Sequence, residues 1–238
     1  KAKGVLPADG IVVKSVVSTA MADAIAESYG VKLINVLTGF RFIGEQIDRC
    51  EKTKENTFLF GFEESYGFLT GNISRDKDSI LSSVLSAEMC LTYAQRGMTL
   101  YDGLMELFNT YGWYKERVAS YTLEGKEGME KIAGTMAGLR KDPVWEVAGT
   151  KVVRAEDYVS GIAKLDNGTE EAVTLPKSNV LRYVLSTGEW IVVRPSGTEP
   201  KLKLYIGGKA DRSAAVEART EELYDSMNKV LSSMLFGE

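Results

Sequence analysis

Apolar residues along the first third of the chain switch between two periods. Gly10–Ser18, "GIVVKSVVS", Val31–Gly39, "VKLINVLTG", and Thr57–Phe62, "TFLFGF", are near-continuous apolar or β-branched runs, the pattern of buried strands. Between them, Ala20–Gly30 and Arg41–Lys52 space their apolar residues three to four apart, the period of an amphipathic helix, and Gly30 offers the first of these a stop. The order β-α-β-α-β predicts a parallel or mixed sheet with right-handed crossovers. In such sheets ligands bind beyond the carboxyl ends of the strands, which places interest near Lys14, near Thr38, Gly39 and Arg41, and near Glu63 to Ser65.

Beyond "SRDKD" a long helix is expected from Ser79 to Arg96, with Ile80, Val84, Leu85 and Met89 at core spacing, and a second from Leu100 to Tyr111, which Gly112 ends. The pattern then changes. A strand-like "KERVASYTL", a helix over Glu127–Arg140, a Gly- and Asp-punctuated run, two strands flanking "RPSGTEP" and a final amphipathic helix from about Asp211 to Leu235 predict an α+β arrangement with an antiparallel sheet. The expected domains are 1–113, α/β, and 114–238, α+β.

Composition narrows the chemistry. The 238 residues are 44% hydrophobic and 26% charged, enough to build a sizeable core, and the net charge of −4 argues against nucleic acid as the main partner. No apolar run approaches the roughly 20 residues of a membrane span. Cys50 and Cys90 are expected as buried free thiols in a reducing cytoplasm. The chain has no histidine, which removes Ser-His and Cys-His nucleophile pairs and histidine zinc sites. "NIS" at Asn72 and "NGT" at Asn167 are weak glycosylation patterns, and neither is expected to be modified.

Two loops carry the chemistry that remains. In "EWIVVRPSGTEPKLKLYI" a hairpin loop of about six residues separates two strands. Period-2 alternation puts Leu202, Leu204 and Ile206 on one face of the second strand and Lys201, Lys203 and Tyr205 on the other. Gly197 permits a positive φ, so backbone N–H groups can form an anion nest; Ser196 and Thr198 add hydroxyl donors, Arg194 a fork and Lys203 a point charge. Against this stands a plain Gly/Pro/Ser turn with solubilising cations. The combination favours an anion, most readily phosphate.

In "GFEESYGFLTGN", Glu63 and Ser65 project to the same side if the chain stays extended, and a carboxylate beside a hydroxyl suits a sugar diol. Glu63 and Glu64 then point oppositely, a poor pair of glycosidase acids. Asp76 and Asp78 are equally readable as helix starters. Lys14 and Lys77 are candidate proton-transfer groups or plain cations.

"FGFEESYGFLTGN" followed by "RDKD", with "RPSGTEPKLKLYI" some 120 residues later, resembles the α-D-phosphohexomutases, closest to the phosphoglucomutase and phosphomannomutase branch. The resemblance covers nearly the whole chain and corresponds to the last two of that family's four domains, the second with a TBP-like antiparallel sheet. It implies that Glu63 and Ser65 read the sugar, that Lys14 lies near the reacting phosphate as an acid/base candidate, that Lys77 is a further catalytic candidate at a basic position facing the active cleft, and that Thr38, Gly39 and Arg41 belong to a loop that changes contact with the two substrate orientations. It further implies that Arg194, Ser196, Gly197, Thr198 and Lys203 hold the non-reacting phosphate of a hexose phosphate. The family's phosphoserine loop, of the type T-A-S-H-N-P, and its Mg²⁺ loop, of the type D-G-D-G-D-R, occur nowhere here. The chain is therefore expected to be a C-terminal fragment, inactive alone, whose upstream domains bind Mg²⁺ and carry the phosphoserine, with glucose 1,6-bisphosphate as intermediate. A stand-alone phosphosugar-binding or regulatory module, a structural interaction domain and phosphopentomutase specificity are the alternatives.

Overall fold

The computed structural model describes residues 4–197 and 199–237. The chain divides into two compact units, Lys1–Trp113 and Tyr114–Glu238.

In the first unit the elements follow the order β1 (Gly10–Ser15), α1 (Met21–Tyr29), β2 (Lys32–Val36), α2 (Phe40–Thr53), β3 (Thr57–Glu63), β4 (Gly67–Thr70), α3 (Ser79–Gln95) and α4 (Leu100–Tyr111). The sheet order is β2-β1-β3-β4, with β1 parallel to β2 and β3. β4, not anticipated from the sequence, returns antiparallel to β3 through a tight turn, pairing Glu63 with Gly67. The result is the mixed α/β sheet expected.

The α2 face is well packed. Ile43 and Ile47 of α2 meet Ile11, Val13, Phe58 and Leu69 of the strands, all nearly or fully buried. Cys50 joins this core, but Cys90 is exposed, contrary to expectation. Packing is tight enough that a Cβ at Gly44 would sit 2.7 Å from the Arg75 carbonyl oxygen, so only glycine lets the "RDKD" loop lie on α2.

The other face is open. α1 and the strands leave an apolar trench of about 390 Å³ lined by residues including Val12, Met21, Ile25, Phe60 and Phe62. α3 is the main correction to the sequence reading. It forms where expected, with Asp78 as N-cap accepting from the Leu81 N–H at 2.9 Å, but none of its residues is buried. Ile80 is 80% exposed, and Val84, Leu85 and Met89 all lie on the surface.

The second unit contains β5 (Trp113–Thr122), α5 (Gly125–Lys141), β6 (Glu146–Val147), β7 (Thr150–Asp157), β8 (Ile162–Leu165), β9 (Glu170–Ala172), β10 (Leu181–Leu185), β11 (Trp190–Pro195), β12 (Lys201–Ala210) and α6 (Ser213–Phe236). The main sheet runs β5-β12-β11-β10-β7-β8-β9, and the recorded pairings from β12 to β9 are antiparallel. Ile191, Val193, Leu202, Leu204 and Ile206 pack with Leu139 of α5 and Leu223, Met227 and Leu231 of α6 in one core. Arg219 of α6 ties the helix to the β10–β11 turn through Glu189, at 2.9 and 3.0 Å. On the opposite side of the sheet, buried Glu156 meets Arg154 at 2.7 Å, Arg182 at 3.3 Å and the Tyr158 hydroxyl at 2.7 Å.

Candidate functional site

Three strand ends adjoin in the first unit, because β1 lies between β2 and β3 with Lys14 opposite Asn35 and Phe62. Each end carries candidate residues. After β2 the chain turns at Gly39, which has φ 120° and ψ 121° and caps α2 without a side chain. Its N–H donates to Glu63 Oε1 at 2.7 Å. α2 has no acidic residue in its own first turn, so the carboxylate from β3 supplies the negative charge that the helix N-terminus favours. Among the described residues Glu63 Oε2 has no hydrogen-bond donor.

Glu63 and Glu64 do diverge: while Glu63 takes Gly39, Glu64 Oε2 accepts from the Ser15 hydroxyl at 2.8 Å. The reason is a turn rather than continued extension. β3 stops at Glu63, Glu64–Tyr66 form the turn, and Tyr66 sits at φ 59°. Ser65 is therefore exposed at a hairpin tip, where among the described residues its hydroxyl donates a single long 3.5 Å bond, to Glu64 Oε1, and it is not aligned with Glu63 along one strand face.

The lysines differ in availability. The Lys14 side chain is only 5% exposed; its ammonium lies 3.2 Å from the Ser18 carbonyl oxygen and 3.2 Å from Asp23 Oδ2. Lys77 is half exposed, 5.0 Å from the centre of the Phe40 ring and 3.1 Å from Asp76 Oδ1. The rest of "RDKD" is structural. Arg75 pairs with Asp48 and Glu51 of α2, holding the Asp48 carboxyl below the ordinary carboxylate value, and Asp78 caps α3. Thr38 and Gly39 precede α2, while Arg41 lies within its first turn, exposed and stacked over Phe42 at 4.6 Å. Ser18 and Asp23, which hold the Lys14 ammonium, and Ser15 and Glu64, which bond each other beside it, were not foreseen. Sequence adjacency to Lys14 and Glu63 was a signal for Ser15 and Glu64 alone.

In the second unit the loop between β11 and β12 spans residues 196–200, one fewer than expected. The Ser196 N–H donates to the Lys201 carbonyl oxygen at 2.7 Å, the Lys201 N–H to that of Glu199 at 2.7 Å, and the Glu199 N–H to Ser196 Oγ at 3.3 Å. Gly197 lies outside the left-handed region. These local bonds close the loop, so a nest built on positive φ is not the geometry found; open space at Gly197 still lets a ligand approach the backbone. Thr198 lies outside the described residues. Alternation along β12 holds: Leu202, Leu204 and Ile206 are fully buried, while Lys201 and Lys203 are partly exposed on the other side. Tyr205 shares the lysine face but is buried.

The antiparallel register sets Arg194 directly opposite Lys203. Among the described residues neither has an ion-pair partner, whereas Lys201 is paired with Glu199 at 3.2 Å. Directly opposed like charges destabilise a sheet. These two cations lie beside a loop that carries backbone N–H groups and the Ser196 hydroxyl. No group of three or more His, Cys, Asp or Glu among the described residues is placed to hold a metal ion, so this chain's described residues do not fit the Mg²⁺ loop of the resemblance.

Comparison with known proteins agrees with both halves. Residues 1–111 match the model of "Phosphoglucomutase/phosphomannomutase, alpha/beta/alpha domain III", and residues 140–224 that of the "Phosphoglucomutase/phosphomannomutase, C-terminal domain". The chain belongs to the phosphoglucomutase/phosphomannomutase family. A phosphoglucomutase of Staphylococcus saprophyticus is 35% identical over 213 residues, 89% of this chain and 38% of that protein. One from Staphylococcus aureus strain MRSA252 is 38% identical over 200 residues, 84% of this chain and 36% of the relative. The chain thus spans well under half the length of these relatives. Among solved structures, the Paramecium pp63/parafusin phosphoglucomutase, in an open form, superposes with a TM-score of 0.69 at 19% identity over 95% of this chain and 38% of its own. A putative phosphomannomutase from Thermus thermophilus gives 0.56 at 19% identity, over 97% and 38%. At such identities the structures speak for the fold. No helix among the described residues is long and apolar enough to cross a membrane.

Proposed function

We propose that this chain is the substrate-gripping half of a hexose-phosphate mutase, which moves a phosphoryl group between C1 and C6 through a bound hexose 1,6-bisphosphate. The observation that carries the reading is the cross-strand pair of Arg194 and Lys203, two cations in direct register without an ion-pair partner among the described residues. A phosphate dianion placed there offsets their repulsion and takes donors from Ser196 and the neighbouring backbone; Thr198 belongs to this proposed grip through the resemblance alone.

In the other unit, Glu63 Oε2 accepts from a sugar hydroxyl while Gly39 holds Oε1, and Ser65 donates from the hairpin tip. Thr38 and Arg41 flank that position. Lys77 presents the exposed ammonium best able to meet a reacting phosphate, whereas Lys14 acts from a fixed, buried position. Orientation is the contribution of all these groups: fixing one phosphate and the ring hydroxyls sets the remaining oxygen in line for transfer, which is worth several kcal/mol of barrier. The phosphoserine and Mg²⁺ belong to the remainder of the intact enzyme, and this chain alone is expected not to turn over.

Calorimetric titration with glucose 1,6-bisphosphate tests the phosphate grip. Arg194→Ala is expected to weaken binding roughly ten- to a hundredfold, the loss of a charge-assisted fork worth about 1.5–3 kcal/mol. Equal binding by the two proteins would remove Arg194 from the site.

A further inference from the structure

We propose that Glu64 and Ser15 are positioning residues for Lys14: the second carboxylate of the hairpin fixes the lysine's ammonium through a hydrogen-bond chain that runs Glu64–Ser15–Ser18. Its functional meaning rests on the reading of Lys14 as a working residue of the phosphosugar site; the positioning itself rests on geometry alone.

The chain has a direction. An ionised carboxylate only accepts, so at 2.8 Å the Ser15 hydroxyl must spend its single proton on Glu64 Oε2. The 2.9 Å contact between Ser15 Oγ and Ser18 Oγ is then donated by Ser18. Both serines are buried, at 0% and 1% exposure, where an unmatched hydroxyl is costly. Ser18 is therefore held through its side chain, and its carbonyl oxygen is the one that takes the Lys14 ammonium at 3.2 Å. The Ser18 N–H closes the same turn by donating to the Ser15 carbonyl oxygen at 3.0 Å. Asp23 completes the cradle from α1. In this arrangement the two adjacent glutamates divide the work of the β3–β4 hairpin. Glu63 ties it to the loop after β2, and Glu64 ties it to the turn after β1 that carries Lys14. Displacement of the hairpin tip would thereby reach the lysine without touching it.

The test uses the reactivity of the Lys14 amine in this chain, which needs no sugar. With a limiting water-soluble acylating reagent and peptide mass spectrometry, Lys14 is expected to react at least roughly tenfold more slowly than Lys126, since a buried amine reacts only on local opening; the Lys126 side chain is 90% exposed. Glu64→Ala and Ser15→Ala should each raise Lys14 labelling several-fold, while Glu64→Gln, whose amide oxygen still accepts from Ser15, should restore most of the protection. Alkylation of buried Cys50 should stay slow throughout, which separates loss of the chain from general loosening. Unchanged Lys14 labelling in both alanine variants, or an increase matched by Cys50, would overturn the proposal. Ser65→Ala should leave Lys14 protected even where it weakens bisphosphate binding, so failure of the sugar reading and failure of the positioning are told apart.

Discussion

The two units bury their apolar residues to different degrees. In the C-terminal unit α5 and α6 cover one face of a long antiparallel sheet, and the α6 residues Val216, Leu223, Met227, Leu231 and Leu235 are at most 3% exposed. In the N-terminal unit α2 seals one face of the sheet, while an apolar trench remains open on the other and α3 buries nothing. Yet α3 carries apolar residues at a spacing much like that of α6. Periodicity reports that a helix has a side suited to burial; it does not report whether this chain supplies the surface that covers it.

The largest expected effect sharpens that contrast. Leu223→Ala in α6 should cost about 3–5 kcal/mol by loss of burial and creation of a cavity, whereas Val84→Ala in α3 should change stability by less than roughly 0.5 kcal/mol. Denaturant unfolding of the two variants checks both. A loss of more than 2 kcal/mol at Val84 would show that α3 is packed after all.

Electrostatics separates the units next. Burial by itself would raise the Glu156 carboxyl, but Arg182, the Tyr158 hydroxyl and Arg154 outweigh it and hold it below its ordinary value of 4.5. A folded value below the unfolded one stabilises the protein above the ordinary range, and that stabilisation is lost as pH falls through the folded value. The C-terminal unit should therefore lose stability below about pH 5, and Glu156→Ala should cost roughly 3 kcal/mol at neutral pH by taking its carboxylate from Arg182, while Arg154 keeps Glu171. Thermal melts across pH 3–7 would test this, with a variant as acid-sensitive as the parent counting against it.

Backbone strain offers a smaller probe of the N-terminal unit. Gly39→Ala should cost about 1–3 kcal/mol, because φ 120° is closed to other side chains, and should disturb the Glu63 contact seen in the NMR signals of the α2 N-terminus. The smallest effect should come from Arg194→Ala. Removing one of two facing cations should leave stability unchanged or raise it by a few tenths of a kcal/mol, even as bisphosphate binding falls. A stability loss above 1 kcal/mol would assign Arg194 to the fold instead of the ligand.

The candidate site was legible where residue type alone restricts the chemistry. Arg194 and Lys203 around a Ser-Gly turn, and Glu63 with Ser65 after an apolar strand, stood out because those residue types together suit an anion and a sugar diol. Less legible was how they are held. Ser65 lies at a hairpin tip because β4 turns back on β3, and β4 is only four residues of "GFLT", too short for a period to show. Gly197 was read for a freedom that the loop's own hydrogen bonds do not use.

By itself the sequence determined the alternation of elements and the two kinds of sheet, because strand and helix periods are local properties of the chain. Tertiary structure alone decided that Glu63 caps a helix from a different strand, that Glu64 reaches across to Ser15, that Arg194 faces Lys203 in register and that the apolar stripe of α3 stays exposed. Each of those depends on which segments meet and in what register; the Glu63 and Glu64 bonds bridge 24 and 49 residues, a separation that leaves no mark in local spacing.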